Sequence, residues 1–368
     1  MVDDRDISTD LASRVRDAVA KNEALYITGA DTKSFFTGQS EGTPLHIGLH
    51  QGIVAYEPTE LVITARAGTP LAAIESVLAT GKQMFAFEPP HFGDGATLGG
   101  TIACGFSGPR RPYVGAARDF VLGVKIINGK GEILSFGGQV MKNVAGYDVS
   151  RLMCGSLGTL GVILEVSLKV LPRPEAEMTL QFEMSRSDAI TRMNQWAAQP
   201  LPLSATCYGD NLLSLRLSGS NTAITAAHSR LGGDEKKDGA NYWIDLKEHR
   251  LDFFNGDTPL WRLSVPPATP MPDLPGKWLL DWGGAQRWLK TDAPGTRIRE
   301  AVQRVGGHAT LFRGETPGES RFHPMPAAMQ SLQQRIKFAL DPAGVFNCAL
   351  AQHIIGQCPT HARMQSAV

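Results

Sequence analysis

The chain has 368 residues, enough for two domains with cores of their own. Its 36 basic and 36 acidic side chains balance, so no global field favours nucleic acid or an anionic membrane surface. The opening Met1-Val2-Asp3-Asp4-Arg5-Asp6 is unlike a signal peptide, and no apolar run reaches the ~20 residues of a membrane span.

The five cysteines (Cys104, Cys154, Cys207, Cys348 and Cys358) are an odd number without CxxC spacing. The expectation is therefore free thiols in a reducing, cytosolic compartment, with no disulfide framework, zinc ribbon or ligated iron–sulfur cluster.

In chain order, Leu11, Val15, Ala18 and Val19 recur at helical spacing, and Thr9 or Asp10 can cap that helix. Ala24–Ile27 reads as a short buried strand running into the small-residue turn Thr28-Gly29-Ala30-Asp31-Thr32-Lys33, a candidate phosphate cradle. Alternation over 61–67 predicts a half-buried strand. Thr69 as N-cap and Pro70 at the first helical position then open a helix with Leu71, Ile74, Val77 and Leu78 on its apolar face and Gly81 at its end.

The stretch from Gly93 to Pro109 is the most unusual. Gly93, Gly95, Gly99, Gly100, Gly105 and Gly108 alternate with apolar Leu98, Ile102, Ala103 and Phe106. That density predicts backbone closely approaching a largely buried ligand, with amide N–H groups cradling an anion, typically a phosphate. A P-loop is excluded, because none of the Gly-Lys pairs is followed by Ser or Thr. The GxGxxG fingerprint fails at Leu98, which disfavours a Rossmann NAD site.

Asn128-Gly129 between Val121–Ile127 and Glu132–Phe136 predicts a hairpin. The segment 141–148 leads into a helical turn ending near Met153. Gly155, Gly158 and Gly161 follow at every third residue. A strand alternates from Leu164 to Val170, and Pro172 and Pro174 stop it, suggesting a domain boundary there.

Beyond Glu175 the pattern is α+β. Strands are expected over 179–184, 212–217, 278–282 and 309–312, and helices over 187–198, 221–231, 296–305 and 325–340. The proline-rich 265–272 reads as a rigid surface linker. GxSxG and HExxH are absent, so hydrolase and metalloprotease readings have no support.

Taken together, the 29–33 turn, Gly95-Ala96-Thr97-Leu98-Gly99-Gly100, the 155–163 segment and the ending Asp341-Pro342-Ala343-Gly344-Val345-Phe346-Asn347 resemble the PCMH-type (vanillyl-alcohol-oxidase-type) FAD-binding family. Within it, Arg118-Asp119-Phe120-Val121-Leu122-Gly123 and 141–152 are most similar to the E subunits of glycolate oxidases. The resemblance covers about the first half of the chain and the tail. It implies an α+β fold: a FAD-binding domain of two α+β lobes over 1–172, then a smaller α+β cap over 173–368 whose C-terminal end returns to the first domain.

The resemblance further implies FAD as cofactor. Thr28, Gly29, Ala30, Asp31, Thr32, Lys33, Gly95, Thr97, Leu98, Gly99 and Gly100 would hold its pyrophosphate. Pro90, Cys104, Gly105, Ser107 and Gly108 would pass along the flavin, and Gly158, Gly161, Val162 and Ile163 would meet the adenine side. The implied partners are a catalytic FAD-linked subunit and an iron–sulfur subunit. A small 2-hydroxy acid, glycolate, would be oxidised to glyoxylate at the level of that complex, in the cytoplasm or peripherally on the inner membrane through partners. A self-sufficient D-lactate-type dehydrogenase and a non-catalytic assembly subunit are the alternatives.

Asp31 departs from the family's Arg-Gly-Gly-Gly loop, and no His-x-His pair stands in the second half. The catalytic base and carboxylate clamp are therefore unassigned, and no metal site is expected. Cys104 reads as a small buried neighbour of the cofactor rather than a covalent attachment point. Lys142 and Tyr147 are open between ligand contact and structural roles. Arg110 and Arg111 read as a solvated basic turn, and the His46/His50 spacing lies outside any helix. His323 is a candidate only by elimination.

Overall fold

A computed structural model describes residues 4–38, 41–138, 148–316 and 318–356. The segment 141–147, with Lys142 and Tyr147, lies outside the described residues.

Two sheets organise the chain. The first has five antiparallel strands in the order Ile53–Glu57, Val62–Arg66, Val162–Lys169, Val121–Ile127, Ile133–Gly137. Val62–Arg66 lies inside this sheet and is buried on both faces, so the expected half-buried strand is a correction. One face packs Ile63 and Ala65 into a cluster with Leu11, Val15, Ile74, Leu78 and Leu164, and on the other the Thr64 hydroxyl is hydrogen-bonded to that of Ser167 (2.8 Å). Each large apolar side chain of that cluster contributes about 1.5–3 kcal/mol when withdrawn from water.

The helix Ser8–Lys21 begins earlier than expected. It is not capped by the side chain of Thr9 or Asp10, because Ile7 occupies the cap position. Thr69 does not cap the helix Leu71–Thr80 either. Its hydroxyl is buried and exchanges hydrogen bonds with the N–H and carbonyl of Gly52, leaving Pro70 at the cap. The hairpin about Asn128-Gly129 forms as the dipeptide predicts.

The second sheet has eight strands, in the order Asp234–Glu235, Ala176–Glu183, Leu212–Gly219, Leu203–Gly209, Lys277–Asp281, Gln286–Lys290, Leu260–Ser264, His308–Arg313. It packs helices Arg186–Ala197, Asn221–Leu231 and Gly295–Gln303 around its own core, which includes Trp196, Trp261, Leu215 and Ile298. The proline-rich segment after Val265 is pinned from inside. Arg287, with no exposed surface, donates to the carbonyls of Thr269, Pro270 and Gly284.

The two halves are joined through Glu88. Its carboxylate accepts from the N–H and Nε of Arg110 (2.9 and 3.2 Å) and from Arg216 (2.8 Å), while Arg110 also reaches Glu177. Arg110 is therefore a buried ion-pair residue and not part of a solvated turn. Arg111 is likewise drawn in, its guanidinium 4.1 Å from the centre of the Trp282 ring.

The C-terminal segment returns to the first core. Leu25 bridges Phe346 in parallel, and the buried Lys337 ammonium donates to Asp341 (2.6 Å), Thr159 O (2.7 Å) and Phe346 O (2.8 Å). Asp341 in turn accepts from the N–H groups of Val345 and Phe346. Cys104, Cys154 and Cys207 are free thiols, whereas Cys348 is disulfide-bonded, against the expectation of free thiols throughout. Among the described residues no helix is long and apolar enough to cross a membrane.

Candidate functional site

The parallel pair Leu25–Thr28 and Thr43–His46 aims its first strand at the turn 29–33, and that turn forms one wall of a cleft of about 1020 Å³. Thr28, Gly29, Ala30, Asp31, Thr32 and Lys33 all line it. The opposite walls are Thr97, Gly99, Gly100 and Cys104, then Gly158, Gly161 and Ile163. Three glycine-containing segments far apart in sequence thus meet around one space.

The hydrogen-bond inventory separates their roles. None of the backbone N–H groups of Gly29, Ala30, Asp31, Thr32 and Lys33 donates to a protein acceptor among the described residues. Five successive donors left free by the protein at the wall of a cleft can receive an anion. Asp31 supports the turn geometry: its φ of +53° is in the left-handed region that Asp tolerates, and its carboxylate accepts the Thr28 hydroxyl. The Asp31 side chain is exposed.

Lys33 supplies a cation to the same wall. Only 6% of it is exposed, and its ammonium donates to His91 O (3.1 Å) and Thr32 Oγ1 (3.3 Å). No carboxylate lies within ion-pair distance of it among the described residues. Burial pushes its pKa below the ordinary lysine value, with the field of Cys104 and Glu248 opposing.

The central glycine run is built differently. Leu98–Cys104 is a helix capped by Thr97, whose hydroxyl accepts from Gly100 N–H. The N–H groups of Leu98 and Gly99 donate to the carbonyls of Thr69 and Ala67. Gly99 is small for packing, since a Cβ there would stand 2.7 Å from the Ala67 Cβ. The amides of 98–100 are thus spent inside the protein, while those of 93–97, like those of the 29–33 turn, donate to no protein acceptor among the described residues.

Leu98 and Val162 lie in the core beneath the cleft. Gly95 stands beside the turn, where an added Cβ would be 3.7 Å from that of Ala30. Gly105 ends the helix in a left-handed conformation and packs on Gly155. Pro90, Ser107 and Gly108 line a separate, smaller cavity of about 350 Å³. The rings of Phe36, Phe106 and Phe312 stand between the two spaces in mutual contact, centroids 4.9 to 5.4 Å apart.

Burial raises the Cys104 thiol to about 11, against the pull of Lys33 and Arg262. It is a neutral thiol at physiological pH, not an activated nucleophile.

The cleft also has walls that the sequence reading did not assign: Tyr26, Leu157 and Leu350, together with Asn347. The Asn347 amide ties two clusters together, accepting from Ile27 N–H (2.8 Å) and donating to Leu157 O (2.7 Å). Gly158 is held against it, where a Cβ would meet the Asn347 amide nitrogen at 2.7 Å. Among the described residues no histidine lines the cleft, and its acids are Asp31 and Glu41.

Residues 8–137 match the family described as FAD binding domain. Among curated relatives, the chain is 48% identical over 347 residues to the glycolate oxidase subunit GlcE of Escherichia coli, covering 94% of this chain and 98% of that protein. It is 42% identical over 85 residues to glycolate oxidase subunit GlcD of Bacillus subtilis, covering 23% of this chain and 18% of that protein. To a D-lactate dehydrogenase of Anaerostipes hadrus it is 33% identical over 129 residues, covering 35% of this chain and 26% of that protein. Among solved structures, an alkyldihydroxyacetonephosphate synthase superposes with a TM-score of 0.63 at 13% identity, covering 92% of this chain and 73% of that one. That similarity identifies the α+β fold. The near full-length identity goes further: this chain belongs to the family of glycolate oxidase GlcE subunits.

Proposed function

We propose that the chain is the FAD-binding component of a glycolate oxidase complex that converts glycolate to glyoxylate. The observation that carries the reading is the run of five unpaired amides from Gly29 to Lys33, backed by a buried ammonium with no counter-ion. A diphosphate fits such a wall: oriented N–H dipoles and one cation meet its charge without requiring a metal. The cleft runs between all three segments, from the 29–33 turn past Gly99 and Gly100 to Gly158 and Ile163, as an extended dinucleotide requires.

In this reading residues 1–172 form the FAD-binding domain and 173–368 the cap with its returning tail. The amides of 29–33 and Lys33 hold the pyrophosphate. Gly158, Gly161 and Ile163, with Tyr26, form the wall that receives the adenosine half, and Cys104 borders the way toward the ring. When bound, FAD supplies a two-electron acceptor for the oxidation of an alcohol. The protein's own part is to orient the cofactor, shield it from water with Leu157 and Leu350, and fix the cleft through Asn347.

Removing the glycolate hydroxyl proton needs a base, and among the described residues no histidine borders the cleft. That step is therefore assigned to a partner, a catalytic FAD-linked subunit, with electrons leaving through an iron–sulfur subunit. Purification of the chain with its companions, followed by the visible spectrum of each separated subunit, tests this. Flavin absorption near ~450 nm in this chain supports the reading. A colourless chain that takes up no FAD, or one that oxidises glycolate unaided, contradicts it.

A further inference from the structure

We propose that Glu248 of the second half is a positioning residue for the diphosphate of FAD, acting on Lys33 through the peptide unit between His91 and Phe92. The proposal rests on the function proposed above, in which Lys33 meets that diphosphate.

The segment Glu88-Pro89-Pro90-His91-Phe92 runs between the halves and is held from the second half at each end. The Glu88 carboxylate accepts from Arg216 (2.8 Å), and the Glu248 carboxylate accepts from the N–H groups of His91 (3.1 Å) and Phe92 (2.8 Å). Glu88 and Phe92 have φ of +48° and +56°, in the left-handed region that bulky residues rarely enter. Backbone keeps such a path only where outside contacts impose it. A trans peptide directs its N–H and its C=O to opposite sides. At the His91–Phe92 peptide the N–H points at Glu248, and the carbonyl on the far side accepts from the Lys33 ammonium (3.1 Å). Anion, peptide dipole and cation follow one another, each polarising the next.

Nothing local to its helix favours Glu248. It is the cap residue at the C-terminal end of Gly239–Lys247, where an acid opposes the helix dipole. It is largely buried, with Lys247 3.3 Å away. Burial by itself would raise its carboxyl. Lys247, the two N–H groups and His91 more than offset that and hold it below the ordinary glutamate range, so it is charged at neutral pH. The His91 ring turns instead to Glu75 of the first half (3.2 Å), so the link from Glu248 to Lys33 runs through main chain.

Lys33 gains two things from this arrangement. Its stem is flexible, and a fixed His91 carbonyl holds the ammonium at the cleft wall before the ligand arrives, so its ordering does not subtract from binding. Burial disfavours the charged ammonium, and the fields of Cys104 and Glu248 oppose that loss. The seating of the second half thereby sets the cofactor site of the first.

A double-mutant cycle on the full chain tests this, with FAD and ADP affinities measured by calorimetric titration of the natural chain, Glu248→Gln, Lys33→Met and the double variant. Glutamine keeps the shape and one acceptor but loses the charge. Glu248→Gln is expected to weaken FAD by about threefold to tenfold, and ADP by the same factor, because the effect falls on the diphosphate. In the Lys33→Met chain the same substitution should change FAD affinity by less than about twofold. A residue that only stabilises the fold would weaken binding equally in both backgrounds. Glu248→Asp, which keeps the charge on a shorter arm, enters the same cycle with a smaller expected loss and takes the place of the glutamine variant should that one not fold. Equal weakening in both backgrounds, weakening of FAD but not of ADP, or no weakening in the natural background would overturn the proposal and leave the function above standing. A Lys33→Met chain that holds FAD as tightly as the natural chain, or a natural chain that binds no FAD, would overturn that function's placement of the diphosphate and this proposal with it.

Discussion

Replacing Lys33 by Met separates ligand binding from fold stability. In the free chain Lys33 is only 6% exposed and its ammonium has only a carbonyl and a hydroxyl as partners, so its charge is a cost to the fold. Methionine has a similar length and no charge. The free variant should therefore unfold at the same or a higher urea concentration than the natural chain. Against a bound diphosphate the same ammonium makes a charge-assisted hydrogen bond, of the order of 1.5–3 kcal/mol. Its loss weakens FAD by about 10-fold to about 150-fold. At FAD one hundred times the natural dissociation constant, ligand stabilises the natural chain by about 2.7 kcal/mol; a hundredfold weaker variant retains about 0.4 kcal/mol. Urea denaturation with and without FAD reads both quantities. A variant that keeps the full FAD-induced shift, or that loses several kcal/mol without ligand, would refute the assignment of Lys33.

Other perturbations have equally definite signs. Glu88→Gln leaves the buried guanidinium groups of Arg110 and Arg216 with a diminished partner and should cost about 3–5 kcal/mol, seen as a lower urea midpoint. Lys337→Met strands the buried Asp341 carboxylate at a similar cost, and it should also weaken FAD, because the tail carrying Asn347 loosens from the cleft. Asp281 is raised to about 7 by burial, so its folded form holds a proton that the unfolded form has lost above 3.8. Its contribution to stability is fully present below 3.8, is lost by about 1.4 kcal/mol per unit as pH rises from 3.8 to about 7, and changes no further above that. Asp281→Asn should therefore gain on the natural chain between about pH 5 and 7, and identical pH slopes over that window would contradict this. His50 and His249 are depressed by burial and act oppositely: stability falls as pH drops through 6.5, where the unfolded histidines take up protons first, as urea midpoints at pH 7 and 5.5 would show.

The parts of the site legible in the sequence are those written in local chemistry. The 29–33 turn follows a short apolar strand and contains small residues, so a strand entering an amide cradle could be read directly. The hairpin at Asn128-Gly129 was legible for the same reason. In the central glycine run glycine serves two ends. At Gly99 the small residue admits Ala67, and the chain there is a capped helix whose amides are occupied. Sequence spacing cannot tell close packing from ligand approach.

What escaped reading depends on partners distant in the chain. Val62–Arg66 alternates like a surface strand, yet both its faces are covered once helices and neighbouring strands assemble. Arg110 looked like part of a solvated turn until Glu88 and Glu177 arrived from either side. Leu260–Ser264 gave no strand signal, being only five residues between loops, so the placement of Arg262 among three phenyl rings was invisible. Asn347 was noted as part of a tail motif, but its role as a tie between Ile27 and Leu157 comes only from the fold.

The main-chain turn from Gly29 to Lys33 is what the account requires to hold the diphosphate of FAD. Competition binding to the isolated full-length chain tests that most directly, with FAD displaced by ADP, which carries the diphosphate and adenosine, or by riboflavin, which carries only the ring. The account predicts that ADP displaces FAD and riboflavin at the same concentration does not. Displacement by riboflavin but not by ADP, or no FAD binding at all, would contradict it.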